Sequence, residues 1–286
     1  MLREATGISY NSTQTSAPTP RALALKMKLP IYQIDAFADA PFRGNPAAVC
    51  PLENWLPDSL LQSIAEENNL SETAFYVGHG AHYSLRWFTP AKEVDLCGHA
   101  TLAAAHVVFG RNPDLAQITF ESRSGPLHVA REEGLLTLDF PAQARKRCDI
   151  PDSLAKALGR RPLECFRSMD YLAVFSTESD IAGLTPDFRL LKTLDLRGVI
   201  VTAPGSASDF VSRFFAPKYG IDEDPVTGSA HCALAPYWAQ RLGKSTLSAR
   251  QLSNRTGTLR CRVEGERVFI SGQTVPYMEG TIRVEG

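Results

Sequence analysis

The stretch Arg213-Phe-Phe-Ala-Pro217, followed by Glu223-Asp-Pro-Val-Thr-Gly-Ser-Ala-His231, decides the fold because a similar stretch occurs earlier in the chain. There, Arg86-Trp-Phe-Thr-Pro90 is followed by Asp95-Leu-Cys-Gly-His-Ala-Thr101, and an apolar run comes next in both copies. In each copy an aromatic strand stops at Pro, a polar loop carries Asp, and Gly begins a helix rich in small residues. We interpret the pair as an internal duplication with two equivalent turn-to-helix elements.

The glycines that begin these two helices mark a candidate anion site. A helix N-terminus has unpaired backbone N–H groups and a partial positive charge, so it binds anions readily. An ordinary capped core helix is the alternative, since Gly beside Ser or Thr is common at such positions. Two such N-termini in a pseudosymmetric chain predict a cleft that binds a small carboxylate substrate.

The composition fits a soluble globular protein with two domains. The chain has 286 residues, of which 44% are hydrophobic and 21% are charged, enough for two cores of ordinary size. Its formal net charge of −1 gives no broad electrostatic footprint for nucleic acid or an anionic membrane surface. No apolar run approaches the roughly 20 residues that span a bilayer. We therefore expect neither nucleic acid nor membrane as a partner.

The cysteines and histidines give no sign of a metal or cofactor site. They form neither a CxxC pair nor an HExxH pattern, and no glycine-rich phosphate loop occurs. The six cysteines are Cys50, Cys97, Cys148, Cys165, Cys232 and Cys261. We expect reduced thiols, a cytoplasmic location and no cofactor.

The first 26 residues differ from the rest of the chain. They are rich in Ser, Thr, Ala and Pro, which predicts a disordered N-terminal extension over residues 1–26. Met27 directly precedes a strand pattern and is an alternative start. A targeting peptide is a further alternative, because the segment carries Arg3, Arg21 and Lys26 against only Glu4.

The remaining pattern predicts an α+β fold. Each half has many short strands and one apolar helix, over residues 98–109 and about 229–242, and the first helix is apolar nearly all round, so it should be buried on all sides. We predict two pseudosymmetric domains, residues 27–140 and 141–286, each a curved, barrel-like, mostly antiparallel sheet around its central helix. As an alternative to these limits, the C-terminal strand returns to pair within the first domain. A doubly wound fold would need regular strand–helix alternation, which is missing.

Local signals add three elements. Pro57 and Asp58 predict the start of a helix that ends near Asn68. Glu132-Glu-Gly134 predicts a hairpin turn, and residues 280–284 predict a final strand.

Glu72 stands out among the candidate catalytic residues. It lies where a predicted strand leaves a turn, on the same face as Tyr76. An exposed carboxylate at a strand edge is the alternative reading. A carboxylate on an aromatic-lined face beside a cleft suits general acid/base catalysis.

Four motifs occur in order along the chain: Gly-Asn-Pro-Ala-Ala-Val at residues 44–49, Leu-Ser-Glu-Thr-Ala-Phe at 70–75, Leu-Cys-Gly-His-Ala-Thr at 96–101 and Asp-Pro-Val-Thr-Gly-Ser-Ala at 224–230. Together they resemble the PhzF-like isomerase family of phenazine biosynthesis. The resemblance runs from about Met27 to the C-terminus. It implies the diaminopimelate epimerase-like fold, an active site between the two domains, cofactor-independent chemistry and a homodimer. The implied reaction is isomerisation, in which a proton or double bond moves in a small carboxylate-bearing substrate.

The same resemblance implies roles for individual residues. It implies a catalytic set in which Glu72 shuttles the proton, completed by His99, Asp224 and Ser229. Substrate contacts are expected at Gly98, Thr227 and Gly228. Taken singly, these residues have ordinary readings: His99 can bond to its own helix turn, Asp224 can form a turn before Pro, and Ser229 can cap a helix.

Cys97 separates two enzyme classes. Amino-acid epimerases of this fold use one cysteine before each central helix. The duplication aligns Cys97 with Thr227, so the second thiol is absent and a two-cysteine mechanism is disfavoured. We expect Cys97 to be a buried structural thiol, and a thiol whose pKa is lowered by the helix N-terminus is the alternative. A non-catalytic binding or scaffold protein on the same fold stays open as an alternative function.

Overall fold

The structure, a computed structural model, describes residues 26–285. All but the last residue of the predicted disordered extension therefore lie outside the described residues. No helix within 26–285 is long and apolar enough to cross a membrane.

The first repeat unit contains two helices, α1 (Asp58–Asn68) and α2 (Gly98–Arg111). Its strands are β1 (Lys26–Ala36), β2 (Asn45–Leu52), β3 (Glu72–His79), β4 (His82–Phe88), β5 (Glu93–Val94), β6 (Gln117–Ser122), β7 (Gly125–Glu132) and β8 (Leu135–Pro141).

The second repeat unit contains α3 (Asp152–Leu158), α4 (Glu178–Ala182), α5 (Phe188–Leu191), α6 (Gly228–Leu242) and a 3₁₀ turn, Pro217–Tyr219. Its strands are β9 (Lys146–Cys148), β10 (Glu164–Arg167), β11 (Tyr171–Val174), β12 (Val199–Pro204), β13 (Phe210–Ala216), β14 (Ile221–Asp224), β15 (Thr246–Gln251), β16 (Gly257–Glu264) and β17 (Arg267–Gly272). The last strand is β18 (Thr274–Glu285).

The strand pairings repeat in the same order in both units. In the first, β1–β2 is antiparallel, β2–β3 parallel, β3–β4 antiparallel and β4–β6 parallel, and β6, β7 and β8 follow as antiparallel neighbours. In the second, β10–β11, β11–β12, β12–β13 and β13–β15 show the same alternation, and β15, β16 and β17 follow as antiparallel neighbours. The backbone therefore shows the duplication that the motifs predict.

The two units share one strand network. β8 pairs with β17, and β18 returns to pair with β1 from Lys26↔Glu285 to Ala36↔Thr274. The network of described strands is mixed and does not close on itself. This arrangement confirms the α+β class. The final strand starts at Thr274, earlier than the predicted residues 280–284, because its pairing with β1 continues past a bulge at Gln33/Ile34.

The core lies around the two central helices. Ten of the fourteen residues of α2 are buried, on every side of the helix, which confirms the prediction from its apolar composition. Residues around α2 and α6 belong to one contiguous cluster, and smaller clusters lie under α1 and under α3 to α5. Burying a side chain such as Leu102 or Phe109 contributes about 1.5–3 kcal/mol. This packing fixes both helix N-termini in place.

The local predictions for α1 and the hairpin are confirmed. α1 begins at Asp58 and ends at Asn68, followed by Asn69 in the left-handed region with φ 48°. In the turn between β7 and β8, Glu133 and Gly134 have φ values of 50° and 79°. Two successive positive φ angles are typical of the tight hairpin turns that match strand twist.

Candidate active site

The two central helices meet at their first residues. A Cβ atom added to Gly98 would lie 3.7 Å from the Cα of Gly228, so the two N-termini face each other at backbone distance. Neither N-cap residue, Cys97 or Thr227, forms a side-chain capping bond. The Thr227 hydroxyl instead donates to Asp224 Oδ2 at 2.5 Å. Neither helix therefore has the side-chain cap of an ordinary capped helix, and N–H groups that such a cap would satisfy stay available for an anion.

Glu72 and His99 form a buried pair at this junction. Glu72 is the first residue of β3, opposite Ala47 of β2, and His99 is the second residue of α2. His99 Nε2 lies 3.2 Å from Glu72 Oε2, and their side chains are only 6% and 12% exposed. Both atoms nevertheless lack a hydrogen-bond partner among residues 26–285. The contact is an ion-pair distance without hydrogen-bond alignment, so both atoms keep capacity for a ligand.

The other side of the His99 ring is held by Asn45 and Cys97. Asn45 Nδ2 lies 3.1 Å from Nδ1, and Cys97 Sγ lies 3.5 Å from the same atom. Both amide protons of Asn45 are used, by Asp224 Oδ1 and by the Val226 carbonyl, so the Cys97 thiol is the donor that remains for Nδ1. In the neutral imidazole, Nδ1 is therefore the acceptor and Nε2 carries the proton that faces Glu72.

Opposing effects act on the pKa of His99. Burial lowers this pKa, whereas neighbouring Cys97 and Glu72 raise it, and the result lies well above the usual value. Burial raises the pKa of the Cys97 thiol to about 11, so that thiol is neutral near pH 7. Only a thiolate could attract the imidazolium, so we attribute the raised pKa of His99 to the Glu72 carboxylate.

Asn45 connects the two repeat units at the site. Its Nδ2 donates to Asp224 Oδ1 at 2.8 Å and to the Val226 carbonyl at 3.0 Å. Asn45 follows Gly44, where φ is 65° and a Cβ would lie 2.2 Å from the Ala36 carbonyl oxygen, so this turn requires Gly. Burial raises the pKa of Asp224 to about 6, and its bonds from Thr227 and Asn45 oppose that rise.

A buried network supports the N-terminus of α6. Gln251 Oε1 accepts from the Thr227 N–H at 2.9 Å, and Gln251 Nε2 donates to the Asp224 carbonyl at 2.7 Å. His231 Nδ1 donates to the Thr227 carbonyl, with 2.8 Å between the two atoms. Burial lowers the pKa of His231 to about 4. Both the hydroxyl and the N–H of Thr227 are therefore engaged within the protein.

Ser229 lies beside a buried ion pair. Its Oγ accepts from Arg197 Nη2 at 3.2 Å. The Arg197 guanidinium donates to both carboxylate oxygens of Asp170, through Nε at 2.9 Å and Nη2 at 2.5 Å. The Asp170 side chain is 0% exposed. Arg197 therefore holds a fixed position at the start of α6.

Glu72, Cys97 and His99 are the group in the described chain that best resembles a metal site. Each offers a ligand atom within 4.8 Å of the others. However, His99 faces Glu72 with Nε2 and Cys97 with Nδ1, and one ion cannot bind both sides of the ring. A thiol with a pKa of about 11 also disfavours the thiolate that metals bind. The three residues as arranged do not fit a metal.

The structure brings the predicted site residues together around the two helix N-termini: Glu72, Gly98, His99, Asp224, Thr227, Gly228 and Ser229. Two cavities, of about 750 and 510 Å³, lie elsewhere and are lined by other residues. We place the site by its convergent, unpaired polar atoms rather than by volume.

Sequence reasoning missed three residues of the site, namely Asp170, Arg197 and Gln251, and it gave Asn45 no fixed place in the cleft. Asn45 lies inside the motif at residues 44–49 and follows a Gly, which was a usable signal. The other three carry no motif of their own.

Fold and site together define a class of protein: a duplicated chain of diaminopimelate epimerase-like fold, with a polar site between two helix N-termini. The family model for phenazine biosynthesis-like proteins matches residues 34–280. The chain therefore belongs to this family, as the four motifs predict.

Individual relatives agree with this assignment. An uncharacterized isomerase of Pseudomonas aeruginosa is 58% identical over 259 residues, covering 90% of this chain and 100% of that protein. A crystal structure of a PhzF-family phenazine biosynthesis protein from Enterococcus faecalis has a TM-score of 0.87 at 50% identity, covering 90% and 99% of the two chains. A hydroxyproline epimerase from Agrobacterium vitis, with a TM-score of 0.56 and 8% identity over 91% and 93% of the chains, shows the fold alone.

Proposed function

We propose that this protein is a cofactor-independent isomerase that moves a proton, and with it a double bond, in a small carboxylate-bearing substrate. One observation carries the proposal: Glu72 Oε2 and His99 Nε2 lie 3.2 Å apart, both without a hydrogen-bond partner in the described chain. Buried polar atoms are nearly always paired. Two unpaired atoms side by side at uncapped helix N-termini therefore indicate a site built for a ligand.

The proposed step is proton transfer by Glu72. Its carboxylate takes a proton from a carbon atom that a neighbouring carboxyl or carbonyl group has made acidic, and it returns that proton to another carbon on the same face. The electron pair left by the proton moves into the conjugated system and shifts the double bond. Because donor and acceptor are one carboxyl group, the cycle consumes no other reagent.

Positioning groups come from both repeat units. The His99 Nε2–H faces the same point as Glu72 and can donate to the enolate oxygen that develops in the transition state. First-turn N–H groups at Gly98 and Gly228 provide further donors at fixed positions, which cost little reorganisation during reaction. Asn45 bonds to Asp224 and lies against His99, and this holds the ring in place.

The chemistry of Cys97 favours Glu72 over a thiol as the base. The pKa of Cys97 is about 11, so little thiolate forms near neutral pH. The equivalent position in the second unit is Thr227, which is no proton carrier. Relatives named isomerases support the class of reaction. The homodimer, the cytoplasmic location and the domain limits at residues 140 and 141 stay predictions.

Proton NMR in deuterated buffer tests the proposal. The protein is incubated with a panel of small cyclic, unsaturated amino and hydroxy acids, and both solvent exchange and migration of C–H protons are followed. We expect at least one acid to exchange or migrate a proton only when protein is present. No change across the panel, for acids that bind and raise the melting temperature, would contradict an isomerase and favour a binding protein.

A further inference from the structure

We infer that Arg197 is the residue that binds the substrate's carboxylate and selects acids over their uncharged analogues. The inference deepens the proposed function and rests on it, because it assigns a ligand group to the same site. It begins from a buried ion pair that none of the family motifs includes.

Asp170 fixes the Arg197 guanidinium in one orientation. Two parallel bonds join Nε and Nη2 to the two carboxylate oxygens, and Asp170 is fully buried. The guanidinium carbon also lies 5.4 Å from the ring centroid of Phe214, within cation–π distance. A bidentate pair on an aromatic face leaves the guanidinium little rotational freedom. Any ligand therefore meets a preorganised donor.

Part of the guanidinium is still free. Nε and Nη2 bond to Asp170, and Nη2 also bonds to Ser229 Oγ. Within residues 26–285, Nη1 makes no hydrogen bond to protein, and the Arg197 side chain is 27% exposed. Because Asp170 already balances the charge, the two N–H donors on Nη1 can serve a ligand without leaving a buried charge unpaired.

Ser229 places the Arg197 guanidinium beside the reaction site. It is the second residue of α6, next to Gly228, which faces Gly98 at the start of α2. Independent support comes from His99, whose side chain is 6% exposed and whose Nε2 has no hydrogen-bond partner in the described chain. A carboxylate held by Arg197 and the helix N–H groups would leave the adjoining carbon for Glu72.

This assignment predicts the substrate class. A carboxylate offers an acceptor oxygen both to the Nη1 N–H and to the helix N–H groups, whereas a carboxamide presents an NH₂ group to one of these donors. Lys at position 197 would keep the charge but lose the planar fork. The site should therefore prefer acids to amides of the same shape.

Calorimetric titration of two probe pairs tests the assignment: cyclohex-1-ene-1-carboxylate against its carboxamide, and benzoate against benzamide. In the wild-type protein we expect the acids to bind at least tenfold more tightly than the amides. Arg197→Gln should weaken acid binding by about 10- to 100-fold and remove the preference. Arg197→Lys should keep part of the affinity.

Two further variants test whether a lost preference for acids results from misfolding. Arg241→Gln also removes an arginine ion pair, to Glu164, but Arg241 lies in the last turn of α6, away from the site, so this variant should keep the wild-type preference. The double variant Asp170→Asn/Arg197→Gln leaves no unpaired buried charge and should lose the preference as Arg197→Gln does.

The assignment is overturned if wild-type protein binds no acid more tightly than its amide, or if Arg197→Gln keeps the preference. Because these titrations need no turnover, their outcome is independent of the proton-transfer experiment. If the protein selects acids through Arg197 but transfers no proton, the isomerase function is contradicted and the assignment of Arg197 stands.

Discussion

The two repeat units share the same arrangement of strands and central helix, here called the frame, and differ in the side chains at the site. In the first, Arg86 bonds to both carboxylate oxygens of Glu93. In the second, Arg213 bonds to both oxygens of Glu223 in the same way. Each pair ties the strand before the turn to the short strand after it. The shared frame thus fixes the direction from which each central helix enters the site.

Equivalence continues into the first turn of each helix. The Thr101 hydroxyl donates to the Cys97 carbonyl at 2.5 Å, and His231 Nδ1 donates to the Thr227 carbonyl at 2.8 Å. In both units a side chain four residues along bonds to the carbonyl of the N-cap residue. The cap side chain itself leaves the helix N–H groups free.

The differences lie at the positions that face the cleft. The first unit supplies the titratable pair, Glu72 and His99. The second places Ser229 where the first has His99, with the Arg197–Asp170 pair behind it. In our proposal the first unit transfers the proton and the second holds the carboxylate. Duplication accounts for the frame, and divergence at a few positions accounts for the chemistry.

Substitution of His99 and of its equivalent, Ser229, should show the largest difference in turnover between the two units. His99→Ala removes the polar N–H next to Glu72, so turnover should fall by about 10²- to 10⁴-fold. Ser229→Ala removes one hydrogen bond, which its Oγ accepts from Arg197, and should lower turnover by less than about tenfold, mainly through KM. Steady-state kinetics on a substrate found by NMR gives both numbers. Equal losses in kcat would contradict the division of roles.

Asp224 and His231 should give opposite pH effects on stability. Burial raises the folded-state pKa of Asp224 from 3.8 to about 6, so its stabilising effect is full below about pH 4 and is lost as pH rises through about 6. The free energy of unfolding of the wild type, relative to Asp224→Asn, should therefore fall by up to about 3 kcal/mol between pH 4 and pH 7. Urea unfolding at several pH values measures the difference.

His231→Gln is the matched control for that experiment. Burial lowers the folded-state pKa of His231 from 6.5 to about 4, so its stabilising effect is full above about pH 6.5 and is lost as pH falls through about 4. The stability of the wild type relative to this variant should rise from pH 4 to pH 7. If the stability of the wild type relative to each variant changes with pH in the same direction for both variants, the burial effects are misassigned.

The two N-cap residues should give the smallest effects on turnover. Cys97→Ala should keep activity within about tenfold of wild type, because a neutral thiol takes no part in the proton transfer. Thr227→Ala removes the hydroxyl that donates to buried Asp224 and should lower the free energy of unfolding by about 1–3 kcal/mol. Complete loss of activity in Cys97→Ala, with ligand binding intact, would revive a thiol mechanism.

Features encoded by neighbouring residues could be predicted from the sequence. Pro57 and Asp58 start α1, positive φ angles at Glu133 and Gly134 make the hairpin, and the apolar run after Gly98 is a buried helix. Each depends on local propensity or on the helical period. The duplication was visible for the same reason, because its two copies are similar over short stretches.

Features that depend on tertiary pairing could not be predicted. Asn45 and Asp224 are 179 residues apart, and their contact depends on how the strand network brings the two units together. Arg197 and Asp170 lie 27 residues apart in irregular segments, where no periodicity indicates a partner. Charged residues in loops are common, so only their burial and geometry distinguish this pair.

Deuterium incorporation catalysed by wild-type protein and by Glu72→Gln tests the central claim most directly. The substitution keeps the shape of the side chain but removes its proton-carrying carboxyl group. Both proteins are followed by NMR on the same substrate, and the wild type should exchange or migrate the proton. Glu72→Gln should bind the substrate with similar affinity, but its rates of exchange and migration should be more than about 100-fold lower than those of the wild type. Full exchange or migration by Glu72→Gln would contradict the account.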